Sequence, residues 1–140
     1  MEKIGVLHHE IRVEAETSQL SELRDKVYNL CAEEGVPAQA TRLMVLAIDE
    51  AISNIIEHAK LEADKKQIAL WLQIGENKIV AGICDQGRPF DPTPARKEPD
   101  SRSYPRRGFG LYLIHKIVDN IEYERTLDGQ NVLTLTKSIE

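Results

Sequence analysis

Leu-Met-Val-Leu-Ala-Ile-Asp-Glu-Ala-Ile-Ser-Asn-Ile-Ile-Glu-His-Ala, residues Leu43 to Ala59, is apolar except for doublets set four residues apart: Asp49-Glu50, Ser53-Asn54 and Glu57-His58. No Gly or Pro interrupts the chain from Ala38 to Lys60, and Pro37 suits a first helical turn, so the spacing predicts a helix over 38–60. Four residues advance a helix by about 40° beyond one full turn, which stacks Glu50, Asn54 and His58 in one row and Asp49, Ser53 and Glu57 in another. A polar stripe this narrow is either the solvated face of a core helix or the wall of a pocket. In a pocket, Glu50 would supply a carboxylate for proton transfer, and Asn54, one turn on, a neutral oxygen for a hard metal ion. Helical spacing alone does not choose between the two.

Working outward, the chain before this helix opens with Ile11, Val13 and Ala15 alternating against Glu10, Arg12 and Glu14, the period of a half-buried strand. A first helix follows, with Ser18 as the predicted N-cap, Leu20, Leu23, Val27, Leu30 and Cys31 at helical spacing, and Gly35 as its stop. After the second helix, Ile68, Leu70, Leu72 and Ile74 form one face of a strand, and Gly75-Glu76-Asn77 turns into another. That next strand carries Ile79, Ala81 and Ile83 on one side and Val80, Gly82 and Cys84 on the other, which predicts burial of both faces. From Gln86 to Arg107 periodicity disappears, and five of the six prolines fall there (Pro89, Pro92, Pro94, Pro99 and Pro105). Long loops of this kind in compact domains are usually lids or binding loops. A third helix over Gly110–Val118 and a hairpin close the chain, with Asp128-Gly129 between Ile121–Leu127 and Val132–Lys137. Paired strands with few crossover helices predict an α+β fold, a two-layer sandwich in which helices cover one face of a mostly antiparallel mixed sheet.

A length of 140 residues fits one domain spanning 1–140. The longest aliphatic run, Leu43 to Ile48, is far short of the roughly 20 residues of a membrane span, so no membrane association is expected. The amino terminus has no leader pattern, and Cys31 and Cys84 fit neither a disulfide framework nor a zinc spacing, which points to the cytoplasm. Eighteen basic and 23 acidic residues leave a net charge of −5, and a nucleic-acid surface is not expected from it. The charge is unevenly placed. Residues 92–107 hold Arg96, Lys97, Arg102, Arg106 and Arg107 against Glu98 and Asp100, a local +3, so the rest of the chain carries −8. A lid over about 92–107 is therefore suited to a polyanion.

Two short motifs flank that loop. Cys84-Asp-Gln-Gly-Arg-Pro-Phe-Asp91 places Asp85 at a strand end, with Gly87 two positions on. Asp85 can there accept a hydrogen bond from a ligand while the backbone approaches closely, or it can cap its own turn. Arg106-Arg-Gly-Phe-Gly-Leu111 opens the third helix. Glycines at a helix entry let amides face an anion at the positive end of the dipole, though a plain glycine turn has the same appearance.

In order and context the three motifs resemble a known family. Glu50-x-x-x-Asn54 with His58-Ala59, then Asp85-Gln-Gly87-Arg-Pro-Phe90-Asp91, then Gly108-Phe109-Gly110-Leu111 are similar to the Asn box and the two glycine boxes of the GHKL ATPases, and more narrowly to the bacterial anti-sigma-factor serine/threonine kinases. The resemblance covers nearly the whole chain. It implies a Bergerat-type ATP-binding fold, with ATP and Mg2+ as cofactors and Asn54 as the metal ligand. It implies Glu50 as general base toward a Ser or Thr hydroxyl of a protein substrate. Asp85 would take the adenine amino group, with Gly87 leaving room for the base and His58 and Phe90 supporting the pocket. Gly108, Phe109, Gly110 and Leu111 would bring amides to the phosphates, with Arg106 and Arg107 as counter-charges. The partners implied are an anti-sigma-factor antagonist as phosphoacceptor, a sigma factor that is sequestered, and a second copy of the chain in a homodimer. Family members often carry a longer glycine run at the second box, so turnover is less firmly implied than binding. A nucleotide-sensing interaction module of the same fold, without phosphotransfer, stays open as an alternative.

Overall fold

The computed structural model describes residues 7–59, 61–93 and 109–139. The elements are β1 (Leu7–Glu14), α1 (Leu20–Glu33), α2 (Ala38–His58), β2 (Gln67–Ile74), β3 (Lys78–Asp85), α3 (Phe109–Ile117), β4 (Asn120–Arg125) and β5 (Asn131–Ser138), with single 3-10 turns at Thr17–Gln19 and Ala63–Lys65. The five strands form one sheet in the order β1-β2-β3-β5-β4. The sheet is mostly antiparallel, as expected, and among the described residues all four ladders are antiparallel.

Register decides what faces the helices. One cross-strand row runs Ile11, Leu70, Ile83, Leu133, Tyr123, and the next row on that face brings together Asp85, Asn131 and Arg125. Buried Ile68, Leu70, Leu72, Ile79, Ile83 and Leu135 pack against Leu23, Val27, Met44, Ile48, Ile52 and Ile114 of the three helices. Each such side chain contributes about 1.5–3 kcal/mol by leaving water. On α2 the buried set is Thr41, Met44, Ala47, Ile48, Ala51 and Ile52, a core stripe at helical spacing.

Some sequence expectations shift. Ser18 is not an N-cap: it lies inside the 3-10 turn, and α1 starts at Leu20 behind Gln19, which makes no side-chain cap. The Gln19 amide is engaged elsewhere, its Oε1 accepting the Glu14 backbone N–H at 3.2 Å. Gly35 ends α1 at φ 82, a conformation that favours glycine. The second helix stops at His58 rather than residue 60, which lies outside the described residues. Of the far face of β3, only Gly82 is fully buried, while Val80 and Cys84 are half-buried. No second layer among the described residues covers that face. Instead the Trp71 ring of β2 lies over Gly82, where a Cβ would collide with it.

Candidate functional site

The polar row of α2 is not a solvated face. Asp49, Glu50, Ser53 and Asn54 are all half-buried, and only Glu57 and His58 are exposed. Of this row, Asn54 lines a cavity beside α3, and Glu50 stands against the start of that helix. The space enclosed by the cavity walls is about 30 Å³. Asn54, Asp85, Arg88, Phe90, Leu111 and Asn131 are among the residues that line it.

Asn54 carries the clearest sign of a ligand. Its Nδ2 is buried and has no hydrogen-bond partner among the described residues. Buried polar atoms are nearly always satisfied, so an amide left free inside a cavity marks a group whose partner lies outside the described residues. The amide oxygen, one turn of helix after a carboxylate, is the hard neutral donor that magnesium accepts. One such ligand suffices for an ion that keeps several waters and takes the rest of its oxygens from phosphates. Among the described residues no cluster of three or more His, Cys, Asp or Glu could hold a metal alone. The residues present therefore fit magnesium.

Glu50 does not line the cavity; it abuts the start of α3. A Cβ placed on Gly110 would stand 2.5 Å from Glu50 Oε1, so α3 passes against the carboxylate only because residue 110 has no side chain. Burial pushes the Glu50 carboxyl above its ordinary value, and the neighbouring Asp49 charge adds to the rise. Asp49 is itself tied to Arg24 of α1 at 3.0 Å. A carboxylate raised in this way is a stronger proton acceptor than an ordinary one.

Asp85 ends β3 on the helix-facing side and is 6% exposed. Its Oδ1 accepts the Gly87 backbone N–H at 2.8 Å and the Asn131 Nδ2–H at 2.9 Å. The turn that follows is pinned to the end of α2, since Arg88 N–H donates to the Ala59 carbonyl at 2.7 Å. A Cβ on Gly87 would come within 2.6 Å of that carbonyl oxygen and 2.9 Å of Leu61 Cδ2. Phe90 stacks on His58 with ring centroids 5.2 Å apart, and the His58 Nε2 lies 2.9 Å from Glu57 Oε1. His58 thus supports the wall through Phe90.

Of the sequence-predicted site residues, the structure brings Asn54, Asp85, Phe90 and Leu111 to one cavity, places Glu50 against Gly110 beside it, and sets Gly87 and His58 behind its walls. Phe109 opens α3, while Arg106, Arg107 and Gly108 lie outside the described residues, as does most of the expected lid. Cys84 does not neighbour the cavity, because strand alternation turns it to the opposite face, in a depression shared with Arg12 and Trp71. Sequence reasoning missed Arg88, Tyr123, Asn131 and the bond between His115 Nε2 and the Pro92 carbonyl at 2.7 Å. The available signal was Asn131 itself, a polar residue on the inward side of β5 in line with Leu133 and Leu135.

Asn54, whose amide has no partner among the described residues, and the buried strand-end Asp85 thus share one cavity with the first turn of α3, between the sheet and the helices of an α+β sandwich. The chain belongs to the histidine kinase-like ATPase domain family, whose pattern matches residues 13–137. It is 35% identical over 96 residues to the serine/threonine-protein kinase BtrW of Bordetella bronchiseptica, spanning 66% of this chain and 67% of that protein. It is 28% identical over 138 residues to the serine-protein kinase RsbW of Bacillus cereus, spanning 94% of this chain and 84% of that protein. Among solved structures, the RsbU and RsbW domains of a Mycobacterium tuberculosis protein align with a TM-score of 0.69 at 19% identity, over 94% of this chain and 31% of that longer one. The SiaB-SiaC complex of Pseudomonas aeruginosa aligns with a TM-score of 0.61 at 15% identity, over 96% of this chain and 91% of its counterpart. At such identities the two structures show the fold alone. The resemblance drawn from the Asn and glycine boxes is borne out at the level of the family.

Proposed function

We propose that this protein is an ATP-dependent serine/threonine protein kinase that acts as an anti-sigma factor, phosphorylating an antagonist protein and sequestering a sigma factor. The observation that carries the reading is the unpartnered Asn54 amide in the cavity, one turn beyond Glu50 and sharing that cavity with the buried Asp85. The names of the BtrW and RsbW relatives support phosphotransfer to protein hydroxyls.

Asp85 holds the amino group of the base, with Gly87 and Phe90 shaping the wall beside it. Asn54 holds magnesium, which when bound offsets phosphate charge. The α3 amides at Gly110 and Leu111 face the phosphates at the positive end of the helix. Glu50 accepts the proton of the incoming Ser or Thr hydroxyl as its oxygen attacks the γ-phosphorus, and burial, which raises its pKa, strengthens it as an acceptor. Phosphate contacts are assigned as well to Gly108, Arg106 and Arg107, all three outside the described residues.

The chain works in the cytoplasm as a homodimer; none of the described helices is long and apolar enough to cross a membrane. The test is transfer of labelled γ-phosphate from magnesium-ATP to candidate antagonists, comparing wild type with Glu50→Gln and Asn54→Ala. Label should reach a Ser or Thr of one antagonist, fall by at least 100-fold with Glu50→Gln, roughly the loss of a general base, and vanish with Asn54→Ala. Magnesium-ATP binding without a labelled antagonist, and with no effect of Glu50→Gln, would sink the kinase reading in favour of a nucleotide-sensing interaction module.

A further inference from the structure

Thr41, Asp85 and Asn131 are the buried polar side chains among the described residues, and two of the three face each other across β3 and β5. Asn131 is unusually well bonded. Its Oδ1 accepts the Tyr123 hydroxyl at 2.6 Å and an Arg125 Nη1–H at 2.8 Å. Its Nδ2 donates to Asp85 Oδ1 at 2.9 Å and to the Gly87 carbonyl at 3.0 Å, with the Arg88 carbonyl at 3.3 Å. The Gly87 carbonyl is held a second time by Arg125 Nη1 at 3.0 Å.

These bonds fix which way the amide points. Reversed, its NH2 would face the guanidinium and its oxygen would face a carboxylate and two carbonyls, leaving donors against donors and acceptors against acceptors. The consequence falls on Asp85. Both of its hydrogen bonds, from Gly87 N–H and Asn131 Nδ2, land on Oδ1, and no described residue bonds Oδ2. A buried carboxylate locked by one oxygen presents the other as a fixed acceptor. Tyr123 and Asn131 both line the cavity, so the network is part of the ligand's own wall.

We infer that Asn131 is a positioning residue for base recognition: oriented by Tyr123 and Arg125, it holds the Asp85 carboxylate and the Gly87–Arg88 turn so that Oδ2 is left for the amino group of an adenine. The inference rests on the nucleotide reading above and adds the source of its base selectivity. A 6-oxo purine would bring an acceptor to the same oxygen. Sites built to bond a substrate N–H reject analogues that lack it by large factors, because the buried partner is left unpaired.

The test is titration calorimetry with magnesium-ATP and magnesium-inosine triphosphate on wild type, Asp85→Asn, Asn131→Leu and Tyr123→Phe, with a melting curve for each. Wild type should prefer ATP by about 100-fold. Asn131→Leu should weaken ATP by about tenfold while leaving inosine triphosphate unchanged, so the preference falls toward that of Asp85→Asn. Tyr123→Phe removes one hydroxyl with little change of shape and should lower the preference by about threefold, which keeps the question answerable if Asn131→Leu fails to fold. An undiminished preference in folded Asn131→Leu and Tyr123→Phe overturns the inference and leaves nucleotide binding intact. Equal loss for both nucleotides also overturns it, since packing alone would then explain the residue. Wild type that binds neither nucleotide overturns the nucleotide reading and the inference together.

Discussion

Replacing Gly87 by Ala should disable the base side of the pocket through the backbone. The added methyl meets the Ala59 Cβ, and its distance to the Ala59 carbonyl oxygen would be 2.6 Å, roughly 1 Å inside ordinary contact. Leu61 Cδ2, at 2.9 Å, can swing aside, but the two nearer atoms belong to Ala59, the cap of α2, and cannot. The turn itself must move, although it is held by Arg88 N–H to Ala59 O at 2.7 Å, by Gly87 N–H to Asp85 Oδ1 at 2.8 Å, and by Asn131 and Arg125 to the Gly87 carbonyl, each at 3.0 Å. Losing two of these bonds costs about 1 kcal/mol each. Overpacking adds about 1–3 kcal/mol, for a total of about 3–5 kcal/mol. In a chain of this size the melting temperature should fall by about 10–17 °C. Because Asp85 shares the displaced bonds, magnesium-ATP affinity should drop by at least tenfold, about the worth of one charge-assisted hydrogen bond. Thermal melts and calorimetry on the same samples read both effects. A Gly87→Ala protein that melts within about 2 °C of wild type and binds ATP undiminished would refute the close approach of this turn to α2.

Gly110→Ala should act in the opposite way. Its methyl meets only the tip of Glu50, which can swing aside, and alanine favours the helix by up to about 1 kcal/mol. Stability should hold or rise while phosphotransfer drops by about tenfold or more, as a displaced base would cause; an unchanged transfer rate would show that Glu50 does not act from this position. Glu50→Gln carries a pH signature. With the native pKa raised, the folded state binds the proton more tightly, so the contribution of Glu50 to stability is fully present below about pH 4.3 and is lost as pH rises through the native value. The variant should therefore gain stability over wild type between acid and neutral pH and run parallel above, as urea melts from pH 4 to 8 would record. Gly82→Ala should push the ring of Trp71, the sole tryptophan, off the outer face of the sheet. Its emission should shift while ATP affinity stays within about twofold of wild type, the opposite of a change on the pocket side.

Those parts of the site that local periodicity controls were legible in the sequence. Glu50 and Asn54 share a row because a helix repeats near four residues, and Asp85 faces inward because a strand alternates by two. Asn131 obeys the same alternation, yet it follows directly on the Asp128-Gly129 turn and reads as part of it. Its inward position is set by pairing with Asp85 across 46 residues of chain, a tertiary choice that no local pattern encodes. Ser18 failed as a cap for a related reason: the path of the chain after β1 is fixed by Ala15 N–H bonding to the Lys66 carbonyl at 2.7 Å, and helix α1 starts where that path allows. The second face of β3 shows what alternation cannot decide. Val80 and Cys84 are apolar enough for a core, but whether a layer covers them depends on the rest of the fold. The burial that exists there is enough to raise the Cys84 thiol pKa, with the Asp85 charge adding to it.

The pairing of Asp85 with Asn131 also bears on how such a domain can change over generations. The chain between them leaves β3 and returns on β5, its adjacent partner, so it is a loop whose two ends are sewn together by the sheet. Closing a flexible loop costs little more when the loop grows, about 0.6 kcal/mol for each doubling of length. Changes of length or charge between residues 94 and 108 should therefore leave the Asp85–Asn131 register intact. Mutation can explore new guests and new regulation in that stretch without reopening the question of whether the protein folds.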